Sequence, residues 1–185
     1  LPLEGPGEAL PESANVLTLD FCKLEAAGKD LGSWFATRAN EPLWQAYGQP
    51  GFPWNWAVQF GREILDTRFA PEAPFAVTYS IDLAPGLDRD ALEALSLAVE
   101  RGDRYRVQVN GQPVAADPEG HWLEERIHRL PLGRHLQPGG NAVRLECPRM
   151  HPLAGLGAAY LIGDFSLEAM ETGFRVVPQR KLAVG

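Results

Sequence analysis

Apolar and polar residues alternate along most of this chain, and turn residues break the alternation at about the 8–12-residue spacing of all-β proteins. Phe75, Val77, Tyr79, Ile81 and Leu83 would line one face of an extended segment. Leu95–Glu100 alternates in the same way. Tyr105, Val107 and Val109 do so just before Asn110-Gly111, a pair that turns tightly at positive φ and predicts a hairpin. Val16–Phe21 reads as a first strand, with an antiparallel return over 22–32 through Ala27-Gly28. Further strands are predicted over 104–110, 121–130, 141–146, 158–168 and 173–178. The single helix-like segment is Asp88–Leu95, where Asp88 suits an N-cap. Strands without alternating helices, and with no internal repeat, predict an all-β, jelly-roll-like sandwich.

The 185 residues suit one buried core rather than two. Pro2, Gly5, Pro6, Gly7 and Pro11 mark residues 1–15 as a linker, 16–170 as the sandwich and 171–185 as a C-terminal strand or tail. The chain begins at Leu, and its first residues carry Glu4, Glu8 and Glu12 with no basic start and no apolar run. This predicts an excised or processed piece without a signal peptide. No apolar run reaches the ~20 residues of a membrane span. A net charge of −7, from 17 basic and 24 acidic residues, argues against nucleic acid or a membrane surface as partner. Cys22 and Cys147 are too few for a disulfide scaffold, although one bridge between them is conceivable.

Two motifs stand in a fixed order: Tyr105-x-Val-x-Val-Asn110-Gly111-x-x-Val114, then Leu136-x-x-Gly-Gly-Asn141-Ala-Val143-x-Leu145. Together they resemble the galactose-binding-domain-like jelly roll. Asn15–Cys22, Trp54–Phe60, Phe75–Tyr79 and Tyr160–Phe165 extend the resemblance to the C-terminal and accessory sandwiches of bacterial multidomain glycoside hydrolases. It covers about residues 15–170 and includes no catalytic barrel. It implies a noncatalytic domain, with a saccharide and a catalytic domain of the same or an associated chain as partners. Related sandwiches hold structural Ca²⁺ through carbonyls and carboxylates, and Asp20, Glu25, Asp164 and Glu168 are the residues this suggests here.

Residues 42–60 hold six of the chain's 17 aromatics. Sugar C–H faces stack on indole and phenol rings while hydroxyls need amides or carboxylates nearby. Trp44, Tyr47, Trp54 and Trp56 beside Gln59 supply both. The alternative is that this Pro-rich segment wraps a sheet and its rings plug the core. His121-Trp122, within a polar run, is a second place for a saccharide at a sandwich edge, or else a cover over the open end. Neighbouring carboxylates such as Glu124-Glu125 or Asp88/Asp90 lack any sign of an apolar pocket. No serine sits in a nucleophile elbow. The four histidines show no metal-ligand spacing. These patterns predict no catalytic residue. The surviving readings are a saccharide-binding accessory module and a structural sandwich with no ligand.

Overall fold

The computed structural model describes residues 7–9, 13–57, 61–114, 120–152 and 155–184, the short stretches 7–9 and 182–184 by backbone alone. In chain order the elements are β1 (Gly7–Ala9), β2 (Asn15–Thr18), β3 (Phe21–Ala26), β4 (Lys29–Phe35), α1 (Asn40–Ala46), α2 (Arg62–Leu65), β5 (Phe75–Leu83), α3 (Arg89–Glu93) and β6 (Ser96–Glu100). They continue with β7 (Arg106–Val109), β8 (Gln112–Val114), β9 (His121–Trp122), β10 (Glu124–Pro131), β11 (Gly139–Cys147), β12 (Ala159–Gly163), β13 (Phe165–Ala169), β14 (Phe174–Pro178) and β15 (Leu182–Val184).

The strands form two large sheets and the separate β1–β15 pair, an all-β sandwich as the alternation predicts. One sheet has the order β2-β12-β6-β10-β9. The other runs β13-β14-β5-β11-β7-β8, with β3 paired to β5 and β4 to β3. Every pairing is antiparallel except the short contact of β14 with β5. β1 pairs with β15, so residues 7–9 and 182–184 lie side by side.

Period-two alternation places the core. Phe75, Val77, Tyr79, Ile81 and Leu83 of β5 are all buried, against Leu97 and Val99 of β6 and Leu161 of β12 from the facing sheet. β11 adds Val143 and Leu145, which meet Val109 and Val107 of β7 in register. Cys22 and Cys147 are buried free thiols. Strand β5 runs between theirs, with Cys22 opposite Tyr79 and Cys147 opposite Phe75. Two strand spacings of about 4.8 Å already exceed the ~7 Å Cα limit for a disulfide. Burial pushes the Cys22 thiol up to about 11.

Three local expectations change. Val16–Phe21 is not one strand: β2 ends at Thr18 in the smaller sheet and β3 starts at Phe21 in the larger. The chain crosses between them at Leu19-Asp20, where Leu19 N–H donates to Ala159 O and Asp20 O accepts from Ala36 N–H. Residues 158–168 divide in the same way at Asp164, into β12 and β13 of different sheets. The Asp88 cap is present, its carboxylate accepting from Ala91 N–H at 2.8 Å ahead of α3. That helix is not the only one, because residues 40–46 also coil. Pro42 sits in the first turn, where its missing N–H costs nothing, and Glu41 favours the same end. Leu43 and Trp44 then fall on the buried face of α1.

A tryptophan-lined cleft between the two sheets

The turn that leaves β4, helix α1 and the segment after it run along one side of the sandwich and open a cleft of about 1140 Å³. Trp34, Phe52, Trp54 and Trp56 supply its aromatic wall. Trp56 is 56% exposed and Trp34 37%. Trp34 is anchored by its Nε1–H, which donates to Leu31 O at 2.8 Å, and Trp54 Nε1–H donates to Pro152 O at 3.3 Å. Both indoles are therefore held from the edge.

Two polar side chains build the cleft rather than wait in it. Asn40, 4% exposed, accepts from Leu156 N–H at 2.7 Å through Oδ1 and donates to Leu156 O at 2.9 Å through Nδ2. This clamps residues 155–157 onto the start of α1. Glu41 takes Phe52 N–H at 2.9 Å and Asn55 Nδ2 at 3.5 Å on one oxygen, and Gln45 Nε2 at 3.2 Å on the other. It ties the aromatic segment back to the helix that precedes it. The remaining charged lining is Arg38, from the turn after β4, with Glu100 at the end of β6 and Arg126 on β10.

The sequence-predicted residues separate. Trp54 and Trp56 line the cleft. Trp44 is fully buried behind it, edge-on to Phe52 and Phe69 at centroid separations of 5.6 and 5.1 Å. No ring surface of Trp44 is left for a sugar, so its stacking role is corrected to a packing one. Tyr47 is a tether: its hydroxyl donates to Pro74 O and accepts from Ala27 N–H. Gln59 lies outside the described residues. His121 is exposed on β9, and Trp122 lies on Tyr160 with ring centroids 5.0 Å apart. Tyr160 points away from the core, and of the two strands between it and Trp122, β6 carries the small Ala98 opposite Tyr160. Trp122 thus covers the outer face of the smaller sheet and does not join the cleft.

Sequence reasoning missed Trp34, Arg38, Glu41, Glu100 and Arg126. Nothing local marks them, since they come from three separate stretches of chain that only the fold assembles. Close by, Arg101 grips Asp103 at 2.9 and 2.7 Å and holds its carboxyl below the usual range. Asp103 N–H also donates to His128 Nδ1 at 3.2 Å. Exposed to solvent, this cluster fixes the 102–104 turn against β10.

The four carboxylates suggested for calcium lie apart. Asp20 and Asp164 follow opposite ends of the β2–β12 ladder, in which Tyr160 pairs Thr18 and Gly163 pairs Asn15. Glu25 is gripped by Arg144 at 2.6 and 3.0 Å, and Glu168 sits opposite Arg175. Among the described residues no three His, Cys, Asp or Glu side chains converge as metal ligands. No described helix is long and apolar enough to cross a membrane.

No family model and no curated protein matches the chain. Among solved structures, a β-glucuronidase from Ruminococcus gnavus in complex with D-glucuronic acid is similar at 12% identity and a TM-score of 0.45. The likeness covers 96% of this chain and 35% of that one, so the chain spans about a third of the glucuronidase's length.

Proposed function

We propose that this sandwich is a noncatalytic saccharide-binding module of the galactose-binding-like jelly-roll type, working beside a glycoside hydrolase domain. The observation that carries the proposal is the cleft wall. Trp56 and Trp34, 56% and 37% exposed, stand on one open cleft next to charged side chains, with Trp34 fixed there by its N–H. Apolar surface gathered in one place and rimmed by polar groups marks a binding groove, whereas single exposed apolar side chains do not. A sugar's C–H face fits an indole, and its hydroxyls fit Glu100, Asn55 and the arginines. Of the two carboxylates that line the cleft, Glu41 is occupied in holding Phe52 N–H and the Asn55 side chain, which favours binding over the paired-carboxylate chemistry of a glycosidase.

A second reading, a structural sandwich that packs on a neighbouring domain, draws on a different surface. Phe21 and Phe35 form an edge-to-face pair at 5.6 Å, are 61% and 42% exposed, and do not line the cleft. Titration with neutral and acidic oligosaccharides, followed by tryptophan fluorescence and calorimetry, decides between the two. Saturable binding that Trp56→Ala removes and Trp122→Ala retains supports the module. A flat response from the folded protein across the panel discards it in favour of the structural role.

A further inference from the structure

Resting on that reading, we infer that the cleft selects acidic saccharides: the sugar ring stacks on the indoles while Arg38 and Arg126 take its carboxylate. Most polar functions of the cleft are already used. Asn40 spends its amide on Leu156, and Glu41 its carboxylate on Phe52 N–H and two side-chain amides. The arginines are in the opposite condition. No carboxylate oxygen of a described residue lies within 4.0 Å of either guanidinium, and no described group takes a hydrogen bond from them. Elsewhere Arg89, Arg101, Arg106, Arg144 and Arg175 each hold a carboxylate.

The backbone nevertheless fixes both positions. Arg38 O accepts the N–H of Asn40, itself clamped to Leu156, and Arg126 O accepts Arg101 N–H at 2.7 Å. One guanidinium therefore enters from the turn beside the larger sheet and one from the smaller sheet. A planar guanidinium matches a carboxylate bidentately, which a neutral hydroxyl cannot do. The molecule as a whole carries −7, so attraction for an acid has to be local. Glu41 and Glu100 are the opposing charges on the same lining; Glu41 already accepts from three donors, whereas Glu100 stands with its Oε2 3.2 Å from where a Cβ at Gly157 would be. It suits a hydroxyl donor on the sugar and disfavours a second acid group.

The test compares oligogalacturonate, oligomannuronate and hyaluronan oligomers with their methyl esters, which keep the stereochemistry and lose the charge. At least one acid should bind about tenfold or more tightly than its ester, the scale of a charge-assisted hydrogen bond. Arg38→Gln and Arg126→Gln should erase that preference without lowering Tm. Glu100→Gln should strengthen the acid and not the ester, and added salt should weaken the acid alone. Equal affinity for every acid and its ester, with Trp56→Ala abolishing both, overturns the selectivity and leaves the saccharide module standing. No binding of any oligomer by the folded protein removes both.

Discussion

Asn110 donates through Nδ2 to Oδ1 of Asn141 at 2.9 Å, joining the two turn motifs across 31 positions of chain. The rest of each amide is also occupied. Asn110 Oδ1 accepts from Ala142 N–H, and Nδ2 also reaches His135 O. Asn141 Oδ1 accepts from Gln137 N–H, while its Nδ2 donates to Gln137 O at 2.7 Å and Gly139 O at 2.9 Å. The hairpin after β7 and the turn before β11 are thus one hydrogen-bonded unit.

Asn141 is 3% exposed, so truncating it strands several buried backbone groups. Asn141→Ala is expected to cost about 2–3 kcal/mol and to lower Tm by roughly 5–10 °C in a thermal melt. Asn141→Asp keeps the acceptor and loses the donors, and should fall between alanine and wild type at neutral pH.

Two glycines offer a sharper comparison. Gly111 has φ +78° and nothing within 4 Å of an added Cβ, whereas a Cβ on Gly133 would sit 2.2 Å from Leu92 O and 2.3 Å from Glu93 Cα. Gly111→Ala bears only left-handed backbone strain, about 1 kcal/mol. Gly133→Ala must push rigid backbone aside, at about 3 kcal/mol or more. Denaturant midpoints for the pair should separate clearly, and equal midpoints would contradict the tight seat of the 133–135 turn on α3.

The sandwich was legible because burial follows side-chain period. β5 is predicted over the residues it occupies, and β11 needs only a short extension of the 141–146 segment at each end. Period also misleads, since alternation continues through Leu19-Asp20 and past Asp164, where the chain changes sheets without changing pattern. The aromatic segment hid α1, whose Pro42 and Trp44 suggest extended chain until a buried face is known. The cleft was half legible. Trp54 and Trp56 announce themselves by type, but Trp34, Arg38 and Arg126 join them only through pairings between distant strands, which one sequence does not encode locally.

The buried acids with high-lying titrations make stability depend on alkali. Burial raises Cys22 to about 11, and it raises Tyr79 and Tyr105 above the ordinary phenol range. A folded-state value above the unfolded one means the neutral thiol's contribution is complete below about pH 8.5–9 and is lost toward about pH 11. Urea midpoints should hold level from pH 6 to 8 and fall above 9. Cys22→Ala should flatten part of that fall, by on the order of 1 kcal/mol. Iodoacetamide should leave both thiols untouched at pH 8 until the protein unfolds.

The last expectation separates tryptophans that pack from tryptophans that present a face. Trp44 has no exposed surface, touches Phe52 and Phe69 edge-on, and has no hydrogen-bond partner for its Nε1–H. Its removal opens a cavity beneath the cleft, so Trp44→Ala should cost about 3–5 kcal/mol and disturb the cleft only by loosening the fold. Trp44→Phe gives up an indole N–H that bonds nothing, and should retain most of the stability. Trp56, more than half exposed, should accept alanine with a change in stability within about 0.5 kcal/mol. Chemical denaturation read alongside ligand titration distinguishes the roles. Trp56→Ala must lose binding at wild-type stability, and Trp44→Phe must keep both. Loss of stability in Trp56→Ala comparable to that in Trp44→Ala would mean that the cleft wall is core, and that its indoles are held for packing rather than for a sugar.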